Sequence, residues 1–199
     1  MSSARQGWSI LADLNPSESR SRLLESRPFI KWAGGKTQLL PLLRDRIPEG
    51  RGTYHEPFLG GGALFFAIVA GASPLIPERV VLNDLNQRLI TTFKVVKDSP
   101  KSLLDKLGTM AAKYLHADEK ARANYYYEVR GLTPRTSLGV AAKFIFLNKT
   151  CYNGLYRENR KGIFNVPHGR YASPNIDDTD AIEANEPADL ATFQRAIAE

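Results

Sequence analysis

The chain has 199 residues, 43% hydrophobic and 24% charged, the balance of a globular chain with a real core. No apolar run approaches the ~20 residues of a membrane helix. The first 27 residues lack the apolar centre of a secretory signal, and the single cysteine, Cys151, rules out an internal disulfide and fits a reducing cytoplasm. The formal charge of +6 is uneven: residues 176–199 hold seven acids and one arginine, net −6, which leaves 26 bases against 14 acids, net +12, on the first 175 residues. A body that basic points to a polyanionic partner, nucleic acid first.

Residues 1–26 are Ser- and Arg-rich and weakly patterned, and predict a loosely docked arm. Then comes Pro28-Phe29-Ile30-Lys31-Trp32-Ala33-Gly34-Gly35-Lys36-Thr37, followed by apolar residues at 39, 40, 42 and 43 that fit one helical face, with Pro41 starting or interrupting it. The Gly-Gly-Lys-Thr invites a P-loop reading, but the first glycine that loop needs falls on Ile30, so the phosphate cradle is incomplete. What remains is a tryptophan and a lysine flanking flexible backbone, an edge suited to a planar, polar ligand.

The stretch from 54 to 84 organises the chain. It reads as a strand, the turn Glu56-Pro57-Phe58-Leu59-Gly60-Gly61-Gly62, an apolar helix that Gly71 can end, and a second strand through Val80-Val81-Leu82. The continuous apolar run predicts a strand buried on both faces. Asp84 lies 24 residues after Gly60, near the offset at which an acid in a nucleotide-binding βαβ unit reaches a ribose hydroxyl. Gly-x-Gly-x-x-Gly is missing, so the expected ligand has a ribose and no pyrophosphate. An ordinary Gly-rich turn in an α/β core is the bland alternative.

Residues 86–96 predict a helix with Leu89, Ile90, Phe93 and Val96 on one face, and Pro100 marks a break. The pattern from 101 to 130 is again helical; of Tyr125, Tyr126 and Tyr127, two are expected in the core, since three adjacent side chains cannot share one helical face. A loop at Thr133-Pro134 precedes an apolar helix over 138–147. Residues 143–171 then hold six Lys or Arg and one acid, with aromatics interleaved. Here residues 159–162 can turn a hairpin between 155–157 and 163–166. Asn153, Arg157 and Asn159 suit base edges; Lys149, Arg160, Lys161 and Arg170 suit phosphates. A solvated basic hairpin is the alternative. Cys151 reads as a small buried hydrophobe, and no His, Cys and carboxylate set has metal-ligand spacing, so no metal is expected. A final helix is expected over 187–197.

Three blocks together resemble the Dam-type N6-adenine DNA methyltransferases: residues 31–36, residues 56–62 with Asn83-Asp84, and residues 152–157 through Phe164-Asn165-Val166-Pro167. They fall in the family's order across residues 28–171. The resemblance implies S-adenosyl-L-methionine as cofactor, double-stranded DNA as partner and GATC as target. It also implies an α/β, Rossmann-like methyltransferase domain with an inserted helical and β-hairpin target-recognition domain. On it, residues 27–98 belong to the catalytic domain, 99–175 to the recognition domain, and 176–199 to a return segment. Trp32 and Lys36 would line the cofactor pocket, Gly60, Gly61 and Gly62 would admit the methionine moiety, and Asp84 would bind the ribose. Tyr152, Asn153, Leu155 and Arg157 would face DNA, Tyr152 as a wedge. One departure outweighs the matches: the family's catalytic Asp-Pro-Pro-Tyr occurs nowhere in the chain, so no catalytic residue is assigned and the C-terminal strands are expected in a missing segment. A non-catalytic DNA-binding module is the competing reading.

Overall fold

A computed structural model of the chain describes residues 27–70 and 75–183. The predicted arm, Gly71 and the helix expected over 187–197 lie outside the described residues. A 3₁₀ turn, Lys36–Leu39, runs into α1 (Leu40–Arg44), with Pro41 in its first turn, where a missing N–H costs nothing. The helical face expected at 39, 40, 42 and 43 is not buried: Leu39 and Leu42 are exposed and Leu40 and Leu43 half-buried.

Next come β1 (Gly50–Glu56), α2 (Ala63–Val69) and β2 (Leu75–Leu82). The strands pair in parallel, with Glu56 opposite Leu82 and a shift of register between Gly52 and Thr53. This is the strand, glycine turn, helix, strand order expected from residues 54–84. The burial of β2 is not: Val80 is buried, but Val81 and Leu82 are only partly so. Among the described residues the sheet has two strands, so no further strand flanks them there.

The rest is helical. Asn86 caps α3 (Gln87–Asp98), its side chain accepting from the Arg88 and Leu89 N–H groups. The expected face of α3 is buried at Leu89, Phe93 and Val96, with Ile90 half-covered. The helical pattern over 101–130 divides into α4 (Pro100–Leu115) and α5 (Glu119–Gly131). The divider is Asp118, whose carboxylate accepts the Ala121 N–H at 2.8 Å and starts a new helix. On α5, Tyr126 is fully buried, Tyr125 packs edge-on against Phe146, and Tyr127 is exposed. Capped by Thr136, α6 (Ser137–Thr150) is apolar on nearly every side because α3, α4 and α5 all pack on it. A short α7 (Thr179–Glu183) closes the described part against α4. One cluster of buried side chains runs from Phe29 through Phe66, Phe93, Leu107 and Phe146 to Ile182. The chain thus has the coarse α/β character read from its sequence, and among the described residues no helix is long and apolar enough to cross a membrane.

Candidate cofactor cleft and nucleic-acid interface

Between β1 and α2 the backbone takes two left-handed steps, at Gly60 (φ +55°) and Gly62 (φ +75°). A Cβ on Gly60 would lie 2.8 Å from Trp32 Cδ1, and one on Gly61 3.2 Å from Trp32 Cβ, so the turn lies directly against the indole and has no room for side chains. Asp84, just past β2, holds the turn from its other end. Its carboxylate accepts the Gly60 N–H at 2.9 Å and the Asn86 N–H at 2.9 Å. A carboxylate offers about four acceptor sites, so two remain for other donors.

Lys36 reaches in from the 3₁₀ turn. Its ammonium donates to Glu56 Oε1 at 2.8 Å and to the Phe58 carbonyl at 2.6 Å, leaving one of its three donors for another acceptor. Glu56 is only 4% exposed, a buried charge that needs this pairing. Tyr54 also donates to it, at 2.8 Å; burial and then the nearby carboxylate push the phenol's pKa up, so Tyr54 stays a donor. Trp32, Lys36, Gly60, Gly61 and Asp84 line one cleft of about 250 Å³. Gly62 sits behind it, where a Cβ would lie 3.0 Å from the Phe66 ring. Sequence reasoning gave no role to three neighbours. Glu56 anchors Lys36, while Phe58 and Leu85, 79% and 96% exposed, are bare apolar surface on either side of the turn. Their signal was position, beside Pro57 and beside Asp84.

The basic segment does turn at 159–162. Gly162 N–H donates to the Asn159 carbonyl at 2.9 Å, and Asn159 N–H to the Ile163 carbonyl at 2.9 Å. It is a minimal hairpin: its pairing is a bridge between Glu158 and Phe164 and another between Cys151 and His168, without regular strands. Asn159 helps to build it, its side-chain oxygen accepting from the Lys161 and Ile163 N–H groups. Tyr152, Asn153, Leu155, Arg157, Arg160, Lys161 and Arg170 are all exposed. Asn153 and Arg170 are the two non-glycine residues with positive φ among those described, at +54° and +55°, and both lie where the hairpin leaves the body. Arg157 is steadied by donating from Nε to Asn165 Oδ1 at 2.8 Å.

Lys149 is placed differently. Its side chain is 12% exposed and its ammonium sits 2.6 Å from Asp178 Oδ2, with Arg27 on the other carboxylate oxygen at 3.1 Å. Burial raises the Asp178 pKa, and the Lys149 and Arg27 contacts more than reverse that, for a net lowering. This ammonium belongs to an internal ion pair, not to the exposed basic face. Cys151 is fully buried, its thiol donating to backbone carbonyls, and desolvation pushes its pKa up to about 11, as befits a packing residue.

Cleft and hairpin adjoin. Tyr156, in the hairpin's first arm, stacks on Trp32 with ring centroids 5.4 Å apart and on Phe144 of α6 at 5.1 Å. A second cleft, of about 290 Å³, lies between the loop after α5, α6 and the hairpin, but no acid lines it and nothing there resembles a ribose site.

The family model for D12 class N6 adenine-specific DNA methyltransferases matches residues 32–196, taking in both the cleft and the hairpin. The chain belongs to that family. Curated relatives agree. A type II methyltransferase, M.MjaIII of Methanocaldococcus jannaschii, is 42% identical over 78% of this chain and 56% of its own length. M1.LlaDCHI of Lactococcus lactis subsp. cremoris is 38% identical over 79% and 53%. The DNA adenine methylase of Escherichia coli K12 is 33% identical over 85% and 57%. The chain thus spans about half the length of these curated relatives.

Proposed function

We propose that this chain is the cofactor-binding and DNA-reading part of an adenine-specific DNA methyltransferase that uses S-adenosylmethionine. The observation that carries the reading is the convergence of Trp32, Lys36, Gly60, Gly61 and Asp84 on one cleft whose tryptophan wall touches the basic hairpin. The cleft fits the cofactor's chemistry. Two open acceptor sites on Asp84 suit the ribose hydroxyls, the side-chain-free turn suits a ligand at backbone distance, and the third donor of Lys36 suits a carboxylate. When bound, the cofactor would supply a methyl group on a positively charged sulfur.

The protein's own contribution is positional. Trp32 and the glycine turn fix where the donor sits, while Tyr152, Asn153, Leu155, Arg157, Arg160, Lys161 and Arg170 hold the duplex beside it. Adenine N6 is a poor nucleophile because its lone pair is delocalised into the ring. Enzymes acting on it take the base out of the stack and need acceptors aimed at its N–H bonds. The Asp-Pro-Pro-Tyr that supplies them in the family is absent from this sequence. We place that group, with further sheet strands, on the part of the relatives' length that this chain does not span.

Tritium transfer from labelled cofactor to unmethylated duplex tests the reading. The 199-residue chain alone should transfer nothing above background while binding the cofactor weakly. Robust turnover by the chain alone would overturn the assignment of the reacting acceptors to another segment. Absent cofactor binding would overturn the cleft. The missing motif favours a second reading, a DNA-binding module without catalysis, for which DNA affinity would be indifferent to the cofactor.

A further inference from the structure

A series of contacts joins the cleft to the hairpin. Trp32 is packed on one side by Gly60 and Gly61 and on the other by the Tyr156 ring, whose plane lies within 24° of its own. The Tyr156 hydroxyl donates to Glu158 Oε1, and the same oxygen is paired with Arg88 Nη1. Through Nη2, Arg88 also donates to the Gly162 carbonyl at the hairpin tip, at 3.2 Å. Arg88 is on the first turn of α3, whose cap residue Asn86 donates its N–H to Asp84. The hairpin is therefore gripped at its first arm and at its tip by the two sides of the cleft: the Trp32 wall and the segment that follows Asp84.

We propose that Tyr156, with Glu158 and Arg88, is a positioning device that makes cofactor and DNA binding cooperative. The inference rests on the functional reading above. A ligand resting on the Gly60–Trp32 wall fixes the indole; the indole fixes Tyr156; Tyr156 and Arg88 fix Glu158 and Gly162, and with them the neighbouring Arg157, Arg160 and Lys161. Ordering the hairpin in advance lowers the entropic cost of DNA binding. Linkage then requires DNA to tighten the cofactor by the same factor. Because the link is one aromatic stack and a partly exposed ion pair, the factor should be modest, about 3- to 10-fold.

The test uses the two tryptophans. With Trp8 changed to Phe, Trp32 is the only indole left, and its emission reports the stack. S-adenosylmethionine is titrated into the Trp8→Phe chain with and without saturating duplex, and duplex is titrated with and without cofactor. The expected result is a 3- to 10-fold tightening of each ligand by the other, with a duplex-induced change in Trp32 emission. Tyr156→Leu should leave each ligand's separate affinity within about twofold and bring the coupling to one. Tyr156→Phe, which keeps the ring, should retain most of it. Glu158→Gln, which leaves the stack packed, should lower it and guards against a folding defect in the leucine variant. Both ligands binding with the same coupling in Tyr156→Leu as in the parent would overturn the coupling alone. Neither ligand binding the parent would overturn the functional reading and the coupling with it.

Discussion

Asn148 pairs with Lys31 as one strand pairs with another: its side-chain oxygen accepts the Lys31 N–H at 2.8 Å and its amide donates to the Lys31 carbonyl at 2.8 Å. The amide's second hydrogen goes to the Gly154 carbonyl at 3.0 Å. One buried side chain on α6, 117 residues on from Lys31, thus ties the segment before the cleft to the base of the hairpin, 6 residues further on. Asn148→Ala would leave three backbone groups short of partners in a mostly dry place. At roughly 1–3 kcal/mol per orphaned group, part of it recovered by water, a loss of about 3 kcal/mol is expected. For a chain of this size that lowers Tm by about 6–12 °C. Asn148→Asp should cost at least as much, because a carboxylate oxygen would face two carbonyls. Thermal unfolding checks both, and a Tm within 2 °C of the parent would show that the clamp is not structural.

Lys149 and its basic neighbours should separate in two assays. Arg160→Ala with Lys161→Ala removes two exposed cations, so the slope of log K against log salt for duplex binding should fall by about 1.8. Lys149→Ala should leave that slope at the parent's value. It should instead destabilise by about 2 kcal/mol, less than the full cost of breaking a buried pair because Arg27 still neutralises Asp178. A reduced salt slope in Lys149→Ala would return it to the DNA-contact set.

The contrast shows what the sequence could and could not carry. The βαβ unit, the face of α3 and the turn at 159–162 were legible because each is local: glycines where backbone turns, apolar residues at helical or strand period, Asn-x-x-Gly where a chain reverses. Lys149 was not, because only the fold brings Asp178 beside it. Val81 and Leu82 look like a strand covered on both faces, yet covering is a property of neighbours that the described sheet does not contain. The division at Asp118 did have a local signal, an acid that can cap, but the helical period on both sides masked it. Tyr156 and Asn148 carried no signal of their own, because only the fold brings Trp32 beside the one and Lys31 beside the other.

Asp84 has two tasks, and substitutions should split them. Asp84→Ala removes the acceptor of the Gly60 and Asn86 N–H groups as well as any ribose contact, so it should loosen the glycine turn and lower stability along with cofactor affinity. Asp84→Asn keeps an acceptor for only one of the Gly60 and Asn86 N–H groups and loses the charge. With charge-assisted hydrogen bonds at about 1.5–3 kcal/mol each, its cofactor affinity should drop by roughly 10- to 150-fold, with a smaller loss of Tm than Asp84→Ala. Calorimetry of S-adenosylmethionine binding beside thermal unfolding measures both. Parental affinity in Asp84→Asn would show that the ribose is held elsewhere.

The hairpin root also sets how stability responds to acid. His168 is buried between Tyr114, whose hydroxyl pairs with its Nε2 at 2.6 Å, and the ring of Tyr126. Burial lowers its pKa below 6.5, Arg170 and Arg122 push the same way, and Glu119 opposes them. The folded imidazole therefore resists a proton that the unfolded one takes up near 6.5. Between those two values the unfolded state binds more protons, so stability rises with pH there and is lost on acidification below about 6.5. Asp178 acts in a lower window. Its pKa is depressed from 3.8 by Lys149 and Arg27 against the opposing effect of burial, so its share is present above 3.8 and is lost as pH falls through the folded value. Urea unfolding at a series of pH values should show two separate declines on acidification. His168→Gln, which keeps an acceptor for Tyr114, should flatten the upper decline and spare the lower. Asp178→Asn should lower stability above 3.8 and flatten only the decline below it. An upper decline that persists in His168→Gln would show that another group, not the imidazole at the hairpin root, takes up the proton.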